Sequence, residues 1–456
     1  MADQEEPARL IAQSHLGQNV TEHLCELHRS ISLSIHPSAI TAQEATDWRK
    51  PSSNQEEEVE QKKAVTLWRF LCWVEYCNSL VQESHELVAK EIVKSIRESY
   101  LETVLQSELM ELSELSILRS TALITSFLQR FTAVPLLRQF LIFLLGEEKG
   151  PETRNHRGPQ IRVQLIQRCN HLSDEISLAS LRLFEEILQV PEETVLYNLI
   201  IRNLEERSYL AGGQDDSRGQ ESETWDGTDE LEEDPYFTDG FPDTGLRFTG
   251  SDRAHGAEPA GTEQCVKSFL SLVPEEIKSS DSSYDAYLQD AVVQYRTCCK
   301  QVSQWGWPVS PRPQGVSQCR QEFYEGYFME VLFDRLLGIL DQPYEVNLQV
   351  TSLLSRLALF PHPHLKEYLL NPFINLAPGA RSLFSVLVRV VADLAQRSLR
   401  VSNLQEMLSL VRRQLLGDSS KESLNHVTLC CGAVVLEEFC KELAAAACVS
   451  HHPIGL

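Results

Sequence analysis

Apolar residues along this chain recur every three or four positions, in stretches separated by short breaks of proline, glycine and acidic residues. That period marks helices with one buried stripe. The pattern is plainest between 320 and 400. Phe323, Tyr327, Phe328, Val331, Leu332 and Leu336 predict a helix over 322–340, which Asp341-Gln-Pro-Tyr344 breaks. Leu348, Leu353, Leu354 and Leu357 predict a second, ending at Phe360-Pro-His-Pro-His364, where each proline removes an amide donor and restricts the residue before it. A third opens after Ala377-Pro378-Gly379 and carries Leu383, Phe384, Leu387, Val390, Val391 and Leu394.

The same grammar runs through most of the chain. Residues 1–63 read as a weakly patterned, partly helical lead-in, with Ile11, Leu24, Leu27 and Ile31 in one or two helices and a charged, flexible run over 54–63. From Ala64 the residues Leu67, Trp68, Phe70, Leu71, Trp73, Val74 and Cys77 are apolar almost all round, which predicts burial on several sides. Val88, Ile92, Val93, Ile96 and Tyr100 make a one-faced helix, and Leu115 to Leu128 the next. Pro135 fits the first turn of another that ends at Gly146. Further helices follow around Leu165, after the N-cap Ser173, and from Pro191. Order returns at Val266 to Val273, Tyr284 to Cys298 make an amphipathic helix, Leu404, Met407, Leu408 and Val411 mark one ending near Gly417, and Val427 to Cys448 the last. With almost no period-two alternation, the fold class is all-α: a HEAT/armadillo-like helical-repeat α-solenoid in two segments, 64–210 and 264–456.

Between them, 211–263 holds 15 Asp or Glu, three Arg, no Lys and nine Gly, so it supplies half of the chain's formal charge of −24. Such a stretch buries too little apolar surface to offset ordering its backbone and is expected to be a disordered acidic insertion. Within it, Leu231-Glu232-Glu233-Asp234-Pro235-Tyr236-Phe237 sets aromatic residues among acids, either as solvated linker or as a short docking motif. Phe439 and Leu443 of the last helix read as core, with Lys441 and Glu442 turned away from them as candidate partner contacts.

The length of 456 residues allows a large core, and 41 basic against 65 acidic side chains repel phosphate backbones, so nucleic acid is excluded as a direct ligand. The twelve cysteines form no C-x-x-C pair and sit in apolar stretches, which predicts buried thiols in a reducing compartment. The acidic start has no basic and apolar leader pattern, and no apolar run approaches a membrane span, so a cytoplasmic protein is expected. Phosphate loops, nucleophile elbows and zinc helices are all missing from the sequence. His362 and His364 stand two apart beside prolines, a poor spacing for one metal ion. Glu437 and Glu438 read as a solvated face, and His85 as a surface or satisfied histidine. No catalytic residue, cofactor or metal is assigned.

Three stretches carry a resemblance: Leu337-Gly-Ile-Leu-Asp-Gln-Pro-Tyr-Glu-Val-Asn-Leu-Gln-Val-Thr-Ser352, Phe360-Pro-His-Pro-His-Leu-Lys-Glu-Tyr-Leu-Leu370 and Asn375-Leu-Ala-Pro-Gly-Ala-Arg-Ser-Leu-Phe-Ser-Val386. They resemble the C-terminal region of the FTS and Hook-interacting proteins. Lys441-Glu-Leu-Ala-Ala445 is similar to that family's terminal motif, and Leu231 to Asp239 resembles its acidic insertion, with the retinoic-acid-induced-16-like branch nearest. The resemblance implies a non-enzymatic helical scaffold that joins a Hook-type coiled-coil adaptor and FTS and links vesicle cargo to dynein, with a Rab GTPase in cargo choice. It also implies an N-terminally short form, since members carry a longer helical region there. A cytoplasmic signalling scaffold without motor linkage is the alternative, and an unrecognised hydrolase a third. If Leu231 to Phe237 docks, Tyr236→Ala with Phe237→Ala lowers affinity for the partner in a titration while the melting temperature stays put; unchanged affinity makes the segment a spacer.

Overall fold

The computed structural model describes residues 2–41, 55–211, 261–279, 284–313, 322–417 and 426–451. Regular structure among them is helical throughout, and strand-like pairing is limited to two isolated bridges, Thr153 with His156 and Leu210 with Leu376. In chain order α1 is Ala2–Ala12, α2 Leu16–Ser30, α3 Pro37–Thr41, α4 Gln55–Glu83 and α5 Glu86–Ile96. A π-helical stretch, Arg97–Leu105, carries α5 into α6, Gln106–Leu109. Then come α7 Glu114–Arg130, α8 Val134–Leu145, α9 Gln160–Arg168, α10 Asp174–Gln189 and α11 Glu193–Leu196, which runs through a second π stretch, Tyr197–Ile201, into α12, Arg202–Leu204. The remaining helices are α13 Thr262–Leu272, α14 Tyr284–Val302, α15 Tyr327–Leu337, α16 Tyr344–Ala358, α17 Pro363–Leu370, α18 Leu383–Ser398, α19 Leu404–Leu415 and α20 Val427–His451.

Each helix lies on near neighbours, as in a helical solenoid. α2 rests on α4 and α5, α7 on α3 and α10, and α10 on α16; α15 touches α9 and α18, and α20 receives α13, α14 and α16. One connected apolar core runs from Ala8 to Val449. The acidic insertion, 212–260 above all, lies outside the described residues.

Several boundaries differ from the sequence pattern for physical reasons. Residues 55–63, read as a flexible lead-in, begin α4; glutamate, glutamine and lysine are good helix formers even without an apolar stripe. The all-round apolar face of α4 is not all buried, since Trp68 and Tyr76 are half exposed. The helix expected from 322 starts five residues later at Tyr327. Gly326 has φ +89°, and a Cβ there would lie 2.0 Å from Asn203 Nδ2, so this position needs glycine. The proline break at 360–364 opens a helix as well as closing one: Pro363 takes the first turn of α17, where its missing amide costs nothing. Pro135 and Gly146 bound α8 as expected, with Gly146 at φ +83°. Ser173 stands at the N-cap of α10 without a side-chain capping bond, whereas Ser382 and Ser385 form a reciprocal box at the start of α18.

Charged groups lock the halves together. Glu152, in the loop between α8 and α9, is 5 % exposed. Its Oε1 accepts from Arg202 at 2.7 Å and pairs with Arg162 at 3.1 Å, while Oε2 accepts from the backbone amide of Tyr327 at 2.8 Å. Its own amide donates to Asn203 Oδ1 at 2.7 Å. Arg335 of α15 donates to the carbonyls of Cys169 and His171, each at 3.0 Å, and to Ser177 Oγ at 2.8 Å. Glu185 of α10 accepts from Gln349 and Ser352 of α16. Removing one partner of a buried ion pair strands the other charge and costs about 3–5 kcal/mol. Glu152→Ala is therefore expected to lower unfolding stability by that order in a urea titration, and a change below about 0.5 kcal/mol, the size of an ordinary surface substitution, would refute the central role of this contact.

Candidate partner-binding site

The C-terminal helix α20 is where the sequence placed two candidate contacts. Its sequence is apolar on every side, and the structure buries it so: Cys430, Val435, Leu436, Phe439, Cys440 and Leu443 are all in the core. The run Ala444 to Ala447 is buried as well, because short side chains let α13, α14 and α16 approach closely. Gly432 marks the tightest crossing. A Cβ at that position would lie 2.4 Å from the carbonyl oxygen of Ile339, in the turn after α15.

Two charged residues of α20, Glu437 and Lys441, point inward. Glu437 is 2 % exposed, so the solvated face read from the sequence is corrected: this carboxylate is internal. It accepts from Arg412 at 2.6 Å, from Lys441 at 2.7 Å and from the Ser279 amide at 2.8 Å. Burial alone would raise its pKa, but the bonds from Lys441 and Ser279 with the charges of Lys441 and Arg412 outweigh it and hold the carboxyl below its usual range. Lys441 is itself buried, reaches Glu438 at 3.1 Å and lies 5.9 Å from the centre of the Tyr287 ring on α14. Glu442 is half-buried and accepts from Ser355 of α16 at 2.6 Å. Burial lifts its pKa, only partly offset by that bond, with Glu438 and Asp290 adding in the same sense. Lys441 and Glu442 thus sit at the junctions of α20 with α14, α16 and α19, under α14 rather than on an open surface. The other candidates, Leu231, Glu232, Glu233, Asp234, Pro235, Tyr236 and Phe237, lie outside the described residues.

Above α20, α14 buries only Ala291, Cys298 and Val302, with Tyr284, Tyr287, Leu288 and Tyr295 half-covered against the core. The histidine pair is packing. His362 and His364 meet edge to face at 5.2 Å, Trp307 meets His362 edge to face at 4.9 Å, and His364 Nε2 accepts from the Arg312 amide at 3.0 Å. Burial, then the neighbouring charges of His364 and Arg312, pushes His362 down to about 3, so its ring is neutral at ordinary pH. His85 caps α5, its Nδ1 accepting from the Leu87 amide at 3.3 Å. The eleven described cysteines form no disulfide, and burial raises the thiol pKa to about 12 at Cys77 and Cys440. Among the described residues no three His, Cys, Asp or Glu side chains are grouped to hold a metal.

One polar cluster had no sequence signal. His28 of α2 bonds Tyr100 OH at 2.8 Å through Nδ1 and Glu108 at 2.6 Å through Nε2. Glu108 also accepts from Arg119 Nε at 2.7 Å, and Arg119 donates to the Leu33 carbonyl at 3.2 Å. These residues come from α2, the first π stretch, α6 and α7, with His28 and Glu108 80 positions apart, so no local spacing reveals them.

Comparison with known proteins adds the family context. Residues 1–204 match the family model described as retinoic acid induced 16-like protein, 325–418 match a family of unknown function, and 424–455 match the KELAA motif. An FHIP family protein of Nematostella vectensis is 23% identical across 78% of this chain and 48% of its own length. The rat FHF complex subunit HOOK-interacting protein 1B is 26% identical across 76% of this chain and 44% of its own. Its human counterpart is 33% identical over a shorter stretch, 30% of this chain and 13% of that protein. The chain spans under half the length of the first two relatives.

The crossing at Gly432 gives a direct check on this geometry. Gly432→Ala gains up to about 1 kcal/mol of helix propensity, but overpacking against a backbone carbonyl costs roughly 1–3 kcal/mol or more. A net fall in the denaturation midpoint is expected; an increase would show that α20 and the turn at Ile339 are not in contact.

Proposed function

This chain belongs to the FHIP family, the HOOK-interacting proteins, and from that we propose that it is a non-enzymatic adaptor. In this reading it joins a Hook-type coiled-coil adaptor and FTS and links vesicle cargo to dynein-based transport, with a Rab GTPase at the cargo end. What carries the reading is the likeness to a HOOK-interacting FHF complex subunit across 76% of this chain.

The physical properties of the molecule support it. A stack of helices presents long grooves and ridges, the kind of surface on which a partner's amphipathic helix lays its apolar face. The formal charge of −24 disfavours nucleic acid and anionic lipid as direct ligands. None of the described helices is long and apolar enough to cross a membrane.

The reading is tested with purified components. The full chain, mixed with a recombinant Hook C-terminal segment and FTS, is expected to co-elute with both in size-exclusion chromatography. Separate elution, with circular dichroism showing the chain helical and folded, would overturn it.

A further inference from the structure

The cluster of His28, Glu108 and Arg119 floors a cleft of about 260 Å³ near the N-terminal end of the array. Small-molecule sites usually span about 300–1,000 Å³. The cleft is thus small for a cofactor and suited to one or two side chains.

Its rim is unlike the surface around it. Leu33, in the loop between α2 and α3, is 72% exposed and lines the cleft. Leu112, next to the lining residue Glu111, is 83% exposed, and Leu115, next to the lining residue Ser116, is 42% exposed. None of the three is needed by the core, since the same segments already bury Ile31, Ile35, Ile117 and Leu123. Leu33 is also held in place: its carbonyl is bonded to Arg119, whose guanidinium is fixed in turn by buried Glu108. A backbone held from below sets where the side chain stands, so less loop ordering is lost on binding, which favours an anchor contact.

The charges at the rim narrow the partner. Arg119 and Glu108 neutralise each other, and Arg29 lines the α2 side. Glu111 and Glu114 are exposed beside the leucines, without an ion pair among the described residues. The surface therefore asks for apolar anchors flanked by Lys or Arg. It also lies beside the π-helical stretch Arg97–Leu105, whose Val104 lines the cleft. Such stretches re-aim side chains and are frequent at functional sites.

We propose that Leu33, Leu112 and Leu115, with Glu111 and Glu114, form the docking surface for a basic amphipathic helix of the Hook-type partner, one apolar side chain of which enters the cleft. This rests on the adaptor reading above. The test uses the full chain and a fluorescently labelled Hook C-terminal segment in an anisotropy titration. Leu33→Ser with Leu112→Ser is expected to raise Kd at least about tenfold, a loss of about 1.4 kcal/mol, with no change in melting temperature because both side chains are exposed. A second variant, Glu111→Lys with Glu114→Lys, keeps the leucines and is expected to weaken binding at low salt more than at high salt. Binding by both variants that equals that of the unaltered chain overturns this surface and leaves the adaptor reading standing. Absence of binding by the folded, unaltered chain overturns the adaptor reading, and this assignment with it.

Discussion

A single buried carboxylate answering two buried guanidinium groups is the constraint on which this architecture turns. Glu152 faces Arg162 and Arg202 and also takes the first amide of α15, contributed from 175 residues further along the chain. A buried ion cluster adds little net stability over an apolar equivalent of the same shape. Its effect is selective. Slide α15 by one turn and Tyr327 leaves Glu152, while Arg335 leaves the carbonyls of Cys169 and His171. Hydrophobic burial discriminates less sharply against such a slip, because apolar side chains can repack at a cost of roughly 1–3 kcal/mol. The ion cluster and the Arg335 bonds are what admit only one register between the segments on either side of 212–260.

The C-terminal part of the array is organised by a different principle. There α20 is enclosed by other helices, and closeness is achieved with small side chains, Gly432 and the alanines from 444 to 447. The carboxylates of that interior are matched: Glu437 by Arg412, Lys441 and the Ser279 amide, and Glu442 by Ser355. Around α20 the interior is tightly filled, whereas Leu33, Leu112 and Leu115 stand exposed at or beside the rim of the cleft over His28, Glu108 and Arg119.

Much of the fold was legible in the chain because helices advertise themselves through a short period. The apolar stripe of α5 is buried as that period requires, as are Leu353, Leu354 and Leu357 of α16 and Leu383, Phe384, Leu387, Val390, Val391 and Leu394 of α18, although Leu348 of α16 stays exposed; Pro135 and Gly146 bound α8. What was not legible has a common cause. Glu437 sits beside Glu438 on a helix, and nothing local says that Arg412 and Lys441 will enclose one and leave the other half-exposed. Likewise His28, Glu108 and Arg119 are ordinary residues on three separate helices until packing brings them together. α17 was hidden differently: Pro361 and Pro363 read as a stop, and only the capping geometry shows that the second of them is also a start.

The order of elements along the chain has a bearing on how this protein is made. α13, α14, α16, α17 and α19 all lean on α20, which follows every one of them. Synthesis proceeds from the N-terminus, so these five helices leave the ribosome with the sides that α20 covers still exposed. For that interval they are natural clients of chaperones. A message cut short before Val427 would yield a polypeptide in which the faces of α13, α14, α16, α17 and α19 stay open, a ready target for quality-control proteases.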